Sequence, residues 1–269
     1  MNRDDFYRLH QENLEALESQ MEQVKTLVQK NLGKKMFLDE RPNVQEGKIR
    51  KIQNEILYGT RLYTFLLCSW LEARLNKILY ENSAVAFKDA EIERIRNLRK
   101  MSERWQVCFD ISICKYYGIT NSPSTIDYSS FITDDSKKNQ YIYIKSLLDE
   151  VEMAITIRNR LAHGQWIVQL NSNSTNYASS DVTVFFQRYD NIQKLDILFS
   201  ILKNIAEIIS TFVVYKDKDT NYQKFNAGID DKVRKIKNFK KQLETKSFEK
   251  YCKPFYNKEL FLESKMKGD

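Results

Sequence analysis

Apolar residues recur at intervals of three and four along most of the chain, which is the spacing of one face of an α-helix. Near the amino terminus this pattern predicts a first helix over residues 4–32, ended by Gly33. A loop containing Pro42 and Gly47 follows, and a second long helix then extends to about Leu79. Because the second half of that helix is almost wholly apolar, we expect it to lie at the centre of the fold.

Two further helices are predicted in the middle of the chain. The third extends from about Asp89 to Tyr117 and is ended by Gly118. The fourth covers residues 139–163, with Gly164 at the position where a left-handed residue commonly closes a helix.

After the fourth helix the periodicity changes to that of β-strands. Residues 166–189 contain two β-rich runs separated by polar, turn-forming residues, which predicts a hairpin with a long tip. Helical spacing returns over residues 192–215, and the chain from Asp230 onward reads as a basic helix with an aromatic end. The predicted fold class is therefore mainly α, a helical bundle with an inserted β-hairpin.

This pattern divides the chain into three segments. The first comprises an amino-terminal helix and loop over residues 1–46, and the second a helical domain over residues 47–215. The third is a basic carboxy-terminal helical extension over residues 216–269.

The composition agrees with long helices and excludes several nucleotide-binding folds. The 269 residues include only 7 Gly and 3 Pro. No Gly-rich phosphate-binding loop is present, which argues against P-loop NTPases, protein kinases and Rossmann dehydrogenases. The amino terminus is charged, and the longest apolar run, Leu62 to Leu71, is about half the length that a bilayer requires. We therefore expect a cytoplasmic protein with no membrane span.

The sequence suggests neither a metal site nor a cofactor. No C-x-x-C pair occurs, so the thiols are expected to be reduced and to lie in the core. They are Cys68, Cys108, Cys114 and Cys252. Adjacent aspartates occur twice and are better explained as helix caps than as metal ligands. These are Asp134, Asp135, Asp230 and Asp231.

Positive charge is concentrated near the carboxy terminus, within a formal net charge of +7. A run of ten residues there contains six cations and no acid, and such a run can follow a phosphate backbone. The candidate RNA-binding residues are Lys232, Arg234, Lys235, Lys237, Lys240 and Lys241. A second basic cluster over residues 94–104 is interleaved with glutamates, and we interpret it as a solvated helix face.

The candidate chemistry centres on one of only two histidines in the chain. His163 follows Arg158 and Asn159 at the end of the fourth predicted helix. Asn159 and His163 are one turn apart, so the amide can hydrogen-bond the imidazole and set its tautomer. A histidine at a helix carboxyl end, beside a guanidinium, is a candidate general acid or base next to a phosphate. Arg160 is a candidate phosphate contact.

The other histidine offers a looser arginine–histidine pair. Arg3 precedes His10, but Asp4 follows the arginine and the pair lies in a polar amino-terminal helix. We expect these two residues to have a structural role.

The pattern Arg158-Asn159-x-x-x-His163, near the end of a helix in an α-helical setting, resembles the signature of the HEPN superfamily. The resemblance covers roughly residues 47–215 and does not identify a subfamily. It implies that Arg158, Asn159 and His163 form the site of a metal-independent endoribonuclease that needs no cofactor. It also implies RNA as substrate, cleaved by 2′-hydroxyl attack to give 2′,3′-cyclic phosphate and 5′-hydroxyl ends.

The resemblance also has consequences for partners. Each chain carries one motif, so a homodimer with a composite active site is implied. The expected biological setting is that of a toxin or antiviral (phage-defence) effector. An unregulated ribonuclease would harm its host, so an inhibitory or activating protein partner is expected.

A polar stripe on the second predicted helix is the candidate support for this site. Ser69, Glu72 and Asn76 are spaced three and four residues apart on an otherwise apolar helix. Glu72 or Asn76 is expected to orient Arg158, the alternative being an edge stripe that faces solvent.

Two other functions stay open at this point. In one, Arg158 and His163 hold RNA or a nucleotide without turnover, in a HEPN-like binding or dimerisation module. In the other, the protein is a helical scaffold that does not contact RNA.

Overall fold

The computed structural model describes residues 2–41, 46–82, 86–119, 126–164, 166, 188–214 and 222–268, apart from the side chains of residues 150, 152–155, 222–224, 267 and 268. Within these ranges the regular structure consists of nine α-helices and one short 3-10 turn, Tyr128–Ser130. The helices are α1 Arg3–Asp39, α2 Glu46–Leu79, α3 Asp89–Arg96, α4 Met101–Tyr116, α5 Asp135–Leu147, α6 Glu150–Ala162, α7 Ile192–Val214, α8 Tyr222–Thr245 and α9 Phe248–Gly268. The prediction of a mainly α protein is confirmed. The predicted hairpin falls largely on residues 167–187, outside the described residues.

The central element is α2, as its apolar second half predicts. It pairs along its length with α1 and also contacts α6 and α7, while α7 packs against α4 and α8. Leu67 and Cys68 of α2 are completely buried. One continuous apolar cluster contains residues of every helix, from Leu14 in α1 to Cys252 in α9.

The prediction that Gly33 ends the first helix is wrong. Helix α1 continues to Asp39, and Gly33 lies within it where α9 crosses. A Cβ added at Gly33 would lie 2.6 Å from the main-chain oxygen of Phe255. The glycine is therefore needed for close contact between two helices. Gly47, predicted to lie in the following loop, is also within a helix, in the first turn of α2.

The third predicted helix is broken into α3 and α4. A turn over residues 97–100 separates them, and the Arg104 Nε atom donates a hydrogen bond to the Leu98 carbonyl across it, at 2.8 Å. Ile95 and Trp105, one on each side of the break, both lie in the core, with exposures of 0% and 1%. The predicted end at Gly118 is confirmed by its φ of +75°.

The fourth predicted helix is likewise broken, at Leu148 and Asp149, into α5 and α6. The two parts pack against different partners. In α5, the Lys137 ammonium donates to the Asp230 carboxylate of α8 at 2.6 Å, whereas α6 packs on α2. A single straight helix cannot reach both neighbours.

The two pairs of adjacent aspartates occupy different positions in their helices. Asp134 is the N-cap of α5 and accepts hydrogen bonds from two main-chain amides, as predicted. Asp230 and Asp231 lie inside α8, so their prediction as caps is wrong. The pKa of Asp230 is lowered although burial acts to raise it, because Lys137 and Gln140 both donate to its carboxylate.

Helix α7 is the one described helix with the length and apolarity of a membrane-crossing segment. It is also a core element, because 56% of its most apolar window is buried inside the protein. Its buried side chains include Leu195 and Phe212, and they pack against α2, α4 and α8.

Candidate functional site

The predicted site lies where α6 packs on α2. Arg158, in the last two turns of α6, donates a hydrogen bond from Nη2 to Oε1 of Glu72 at 2.6 Å. The two side chains form an ion pair with exposures of 25% and 32%. Glu72 therefore contacts the motif arginine, as the polar stripe on α2 suggested. No described contact joins Asn76 to Arg158.

Among the described residues, the contact that holds the guanidinium of Arg158 is the one from Nη2 to Glu72. The Nε atom of Arg158 is buried and has no hydrogen-bond partner among the described residues. An arginine side chain offers five N–H donors in a planar fork, so an anion can still bind while Glu72 holds Nη2.

Cys68 lies one turn before Glu72 on α2 and close to Arg158. Burial raises the pKa of the Cys68 thiol far above its ordinary range, although the positive charge of Arg158 acts to lower it. The thiol therefore stays protonated at neutral pH and does not supply a nucleophile. All four cysteines are buried free thiols, so the prediction of reduced core cysteines is confirmed.

His163 occupies the carboxyl end of α6. Its main-chain N–H donates to the carbonyls of Asn159 and Arg160, both at 3.1 Å, and its side chain is exposed. Gly164 follows with φ +79°, a conformation that glycine adopts without strain. The predicted left-handed cap is thus confirmed, and it ends the helix directly after the imidazole.

The expected side-chain hydrogen bond between Asn159 and His163 is not formed among the described residues. The two are joined only through the main chain, by the His163 N–H and the Asn159 carbonyl. Both side chains are exposed, and water competes there with an amide–imidazole bond that has little net free energy. Arg160, the candidate phosphate contact, is half-buried next to them.

The polar stripe on α2 lines a shallow groove against α1. The cavity there has a volume of about 460 Å³. Its polar lining from α2 is Ser69, Glu72 and Asn76, and that from α1 is His10, Asn13 and Gln20. Glu72 thus belongs both to this groove and to the ion pair with Arg158.

The sequence did not predict that residues of α1 line this groove. His10, Asn13 and Gln20 lie on one face at helical spacing, beside the buried stripe of Leu14 and Met21. Polar residues at such spacing are usual on any exposed helix face, so the pattern alone does not distinguish a groove.

The looser pair at the amino terminus has the structural role that we expected. Arg3 donates to the carbonyls of Leu79, Glu81 and Phe87, which lie at and beyond the carboxyl end of α2. His10 stacks on Tyr80 with a ring separation of 5.9 Å. Burial lowers the pKa of His10, and the nearby charge of Arg96 lowers it further.

An apolar cavity of about 600 Å³ adjoins the end of the motif segment. Trp166, three residues after His163, lines it together with side chains of α1 and α2. Leu27, Tyr58 and Leu62 also line it and are 54%, 40% and 38% exposed. Apolar side chains thus form most of the lining of this cavity.

The predicted RNA-binding cations of the carboxy-terminal run lie on α8, and part of their charge is neutralised. Lys232 pairs with Glu207 of α7, while Arg234 and Lys235 both pair with Asp231 at 2.5 and 2.8 Å. The Lys237 ammonium lies 5.7 Å from the centre of the Tyr143 ring. Lys241 is exposed and Lys240 is half-buried. The charge available to a phosphate backbone is thus smaller than the sequence count.

Within the described part of the chain, no group of three or more histidine, cysteine, aspartate or glutamate side chains is placed to hold a metal ion.

Comparisons with known proteins found no matching family model, no similar curated protein and no similar solved structure. The resemblance to the HEPN superfamily therefore rests on the motif residues and their helical setting.

Proposed function

We propose that this protein is a metal-independent endoribonuclease of the HEPN type. The observation that supports it best is the arrangement at the end of α6. Arg158 is anchored on Glu72 with donor capacity remaining, and an exposed imidazole, His163, follows within the same helix end. A guanidinium and an imidazole within five residues at one helix end are suited to a phosphodiester, provided that the long arginine side chain turns towards the imidazole.

In the proposed reaction the ribose 2′-oxygen attacks the adjacent phosphorus and the bond from phosphorus to the 5′-oxygen breaks. His163 accepts the proton of the 2′-hydroxyl or donates one to the departing 5′-oxygen. Arg158 stabilises the negative charge that develops on the phosphoryl oxygens. Asn159 and Arg160 contact the RNA next to the scissile phosphate. The products carry a 2′,3′-cyclic phosphate and a 5′-hydroxyl.

We assign Glu72 a positioning role. An unattached arginine side chain samples many rotamers, and its immobilisation opposes substrate binding. The ion pair with Glu72 fixes one nitrogen of Arg158 and leaves the remaining donors for the phosphate. Glu72 itself does not contact the reacting atoms in this proposal.

A second copy of the chain completes the site. One His163 serves as either acid or base, whereas the reaction uses both, so two motifs meeting at an interface double the available groups. The exposed apolar surface of Leu27, Tyr58, Leu62 and Trp166 lies beside the motif and supports an interface there. The biological setting proposed is that of a toxin or phage-defence effector in the cytoplasm, restrained by a protein partner.

The test is RNA cleavage by the purified protein in excess EDTA. Structured and unstructured RNAs are incubated with the wild type, Arg158→Lys and His163→Ala, and the new ends are identified chemically. We expect the wild type to produce cyclic phosphate ends and both variants to lose at least about 100-fold in rate. His10→Ala is the matched control, because His10 is the other histidine, stacks on Tyr80 and has no described contact with Arg158 or His163, although it lines the groove that Glu72 also lines.

Equal cleavage by His163→Ala and the wild type would rule out the proposed mechanism. If the wild type binds RNA but does not cleave it, and binding weakens steeply with salt, the protein is the non-catalytic binding module instead.

A further inference from the structure

A separate cavity lies where the end of α1, the start of α2 and helix α9 meet. Its volume is about 410 Å³. Three lysines line it, Lys34 from α1 and Lys48 and Lys51 from α2. None of the three forms an ion pair or a hydrogen bond through its ammonium with any described residue. Their charges are therefore available to a bound anion.

Asn31 provides a second, independent observation. Its side chain lines the same cavity and is only 4% exposed. Its amide nitrogen is buried and has no hydrogen-bond acceptor among the described residues. Buried donors in folded proteins almost always have a partner, so the Asn31 amide at the cavity wall is a donor that a bound ligand can satisfy.

The remaining walls indicate what else the ligand contains. Phe37, Leu38 and Ile52 form an apolar side, against which a carbon skeleton can pack. Glu55 and Glu259 contribute carboxylates, which accept hydrogen bonds from hydroxyl groups. The lining thus carries three ammonium groups and two carboxylates. This combination suits a ligand that has both an anionic group and hydroxyl groups.

We propose that this cavity binds a phosphorylated small molecule between a sugar phosphate and a mononucleotide in size. The lysines hold the phosphate, the two glutamates hold sugar hydroxyls, and the Asn31 amide donates to an oxygen or ring nitrogen of the ligand. The volume is within the range of small-molecule sites. The site shares no residue with the motif on α6, so it does not depend on the proposed chemistry, although Asn31 and Glu55 also line the apolar cavity beside Trp166.

Isothermal titration calorimetry tests the proposal with four probes: adenosine 5′-monophosphate, ribose 5-phosphate, adenosine and inorganic phosphate. We expect one or both of the phosphorylated sugars to bind at least tenfold more tightly than adenosine and inorganic phosphate. The titrations use Arg158→Ala alongside the wild type, so that binding at the motif is separated from binding at the cavity.

Two substitutions locate the binding. Asn31→Leu removes the amide at similar volume, and Lys51→Gln removes one charge at an exposed position where folding is not at risk. Each substitution is expected to weaken binding of the most tightly bound probe at least tenfold. Lys30→Gln is the control, because Lys30 is exposed on α1 and does not line the cavity.

Three results would overturn the proposal. One is that none of the probes binds. Another is that Lys30→Gln weakens binding as much as Lys51→Gln, which would indicate diffuse attraction. The third is that inorganic phosphate binds as tightly as the sugar phosphates, which would mean an adventitious ion only.

Discussion

The Nη2 atom of Arg158 lies 2.6 Å from Oε1 of Glu72, although 86 positions separate the two residues in the chain. The pair joins the helix that carries the motif to the central helix of the fold. It is neither fully buried nor fully exposed, so water and solutes can still reach the two side chains. Its first testable consequence is that the carboxylate sets the position of the guanidinium.

We expect Glu72→Gln to lower the RNA cleavage rate about tenfold or more, with a smaller change in KM. A glutamine retains the shape but not the charge, so Arg158 is held less firmly when the phosphate reacts. Steady-state kinetics on a defined RNA separate kcat from KM. Asn76→Ala, on the same stripe but without a contact to Arg158, serves as the control and should cleave like the wild type. An equal loss in both variants would refute the positioning role.

A second test measures whether the effects of substituting Glu72 and Arg158 on the cleavage rate depend on each other. The rates of Glu72→Gln, Arg158→Ala and the double variant form a double-mutant cycle, in which alanine removes the partner of Glu72. If Glu72 acts only through Arg158, the double variant cleaves no more slowly than Arg158→Ala alone. Additive losses would instead mean that Glu72 acts on the substrate independently.

The apolar surface beside Trp166 predicts a dimer that depends on it. Leu27 is 54% exposed, so Leu27→Glu should leave the folded monomer intact and place an unpaired charge in the proposed interface. Light scattering is expected to show a dimer for the wild type and a monomer for this variant, with loss of cleavage. Ile142→Glu is the control, since Ile142 is 51% exposed on α5. A wild type that is monomeric while cleaving RNA would eliminate the composite site but not the motif.

Gly33→Ala is expected to destabilise the fold. The new methyl group would lie 2.6 Å from the Phe255 main-chain oxygen, and neither helix backbone can yield easily. We expect a loss of roughly 1–3 kcal/mol in the free energy of unfolding. Gly47→Ala is the matched control in α2, where nothing lies within 4 Å of the added carbon. It should leave stability unchanged or raise it by up to about 1 kcal/mol. Thermal unfolding measures both, and a neutral Gly33→Ala would disprove the close crossing of α1 and α9.

Stability is expected to fall with rising pH above about pH 9. Burial raises the pKa of the Cys114 and Cys252 thiols to about 11. The folded protein thus holds these protons more tightly than the unfolded chain, whose thiols have a pKa of about 8.5. Their contribution is fully present below that value and is lost as the pH rises towards 11. Denaturant unfolding at pH 7.5, 9 and 10.5, with reductant, measures the decline.

Cys252→Ala provides the control for the pH dependence. It removes one of the four buried thiols whose pKa is raised by burial, so its free energy of unfolding should fall less steeply over the same pH range. An identical slope in the variant and the wild type would show that Cys252 is not the cause.

Local patterns predicted much of this molecule correctly. The helix over residues 192–214, the ends marked by Gly118 and Gly164 and the buried state of all four cysteines are confirmed. These features depend on hydrogen bonds and backbone conformations within a few residues, or on the hydrophobicity of one side chain. The motif on α6 was also readable, because its three residues lie within two turns of one helix.

What failed depended on partners far away in the chain. The sequence around Gly33 fits either a glycine that ends a helix or one that allows a second helix to pack closely. The second holds because the main chain of Phe255, in α9, lies against Gly33. The break between α5 and α6 separates parts that contact different neighbours, since Lys137 of α5 pairs with Asp230 of α8 whereas α6 packs on α2. The break between α3 and α4 lets α3 pack against α4. The side-chain hydrogen bond considered between Asn159 and His163 is absent for a different reason. Both side chains are exposed, so hydrogen bonds to water replace it at little cost in free energy.

The sequence by itself determined the helices, their amphipathic faces and the chemical groups near the end of α6. Only the tertiary structure decided that Glu72, rather than Asn76, meets Arg158, and that α1 contributes Asn13 and Gln20 to a groove beside them. It alone brought Asn31 and the three lysines to one cavity. The physical reason is that periodicity defines the face on which a side chain lies, whereas packing between helices distant in sequence defines what that face meets.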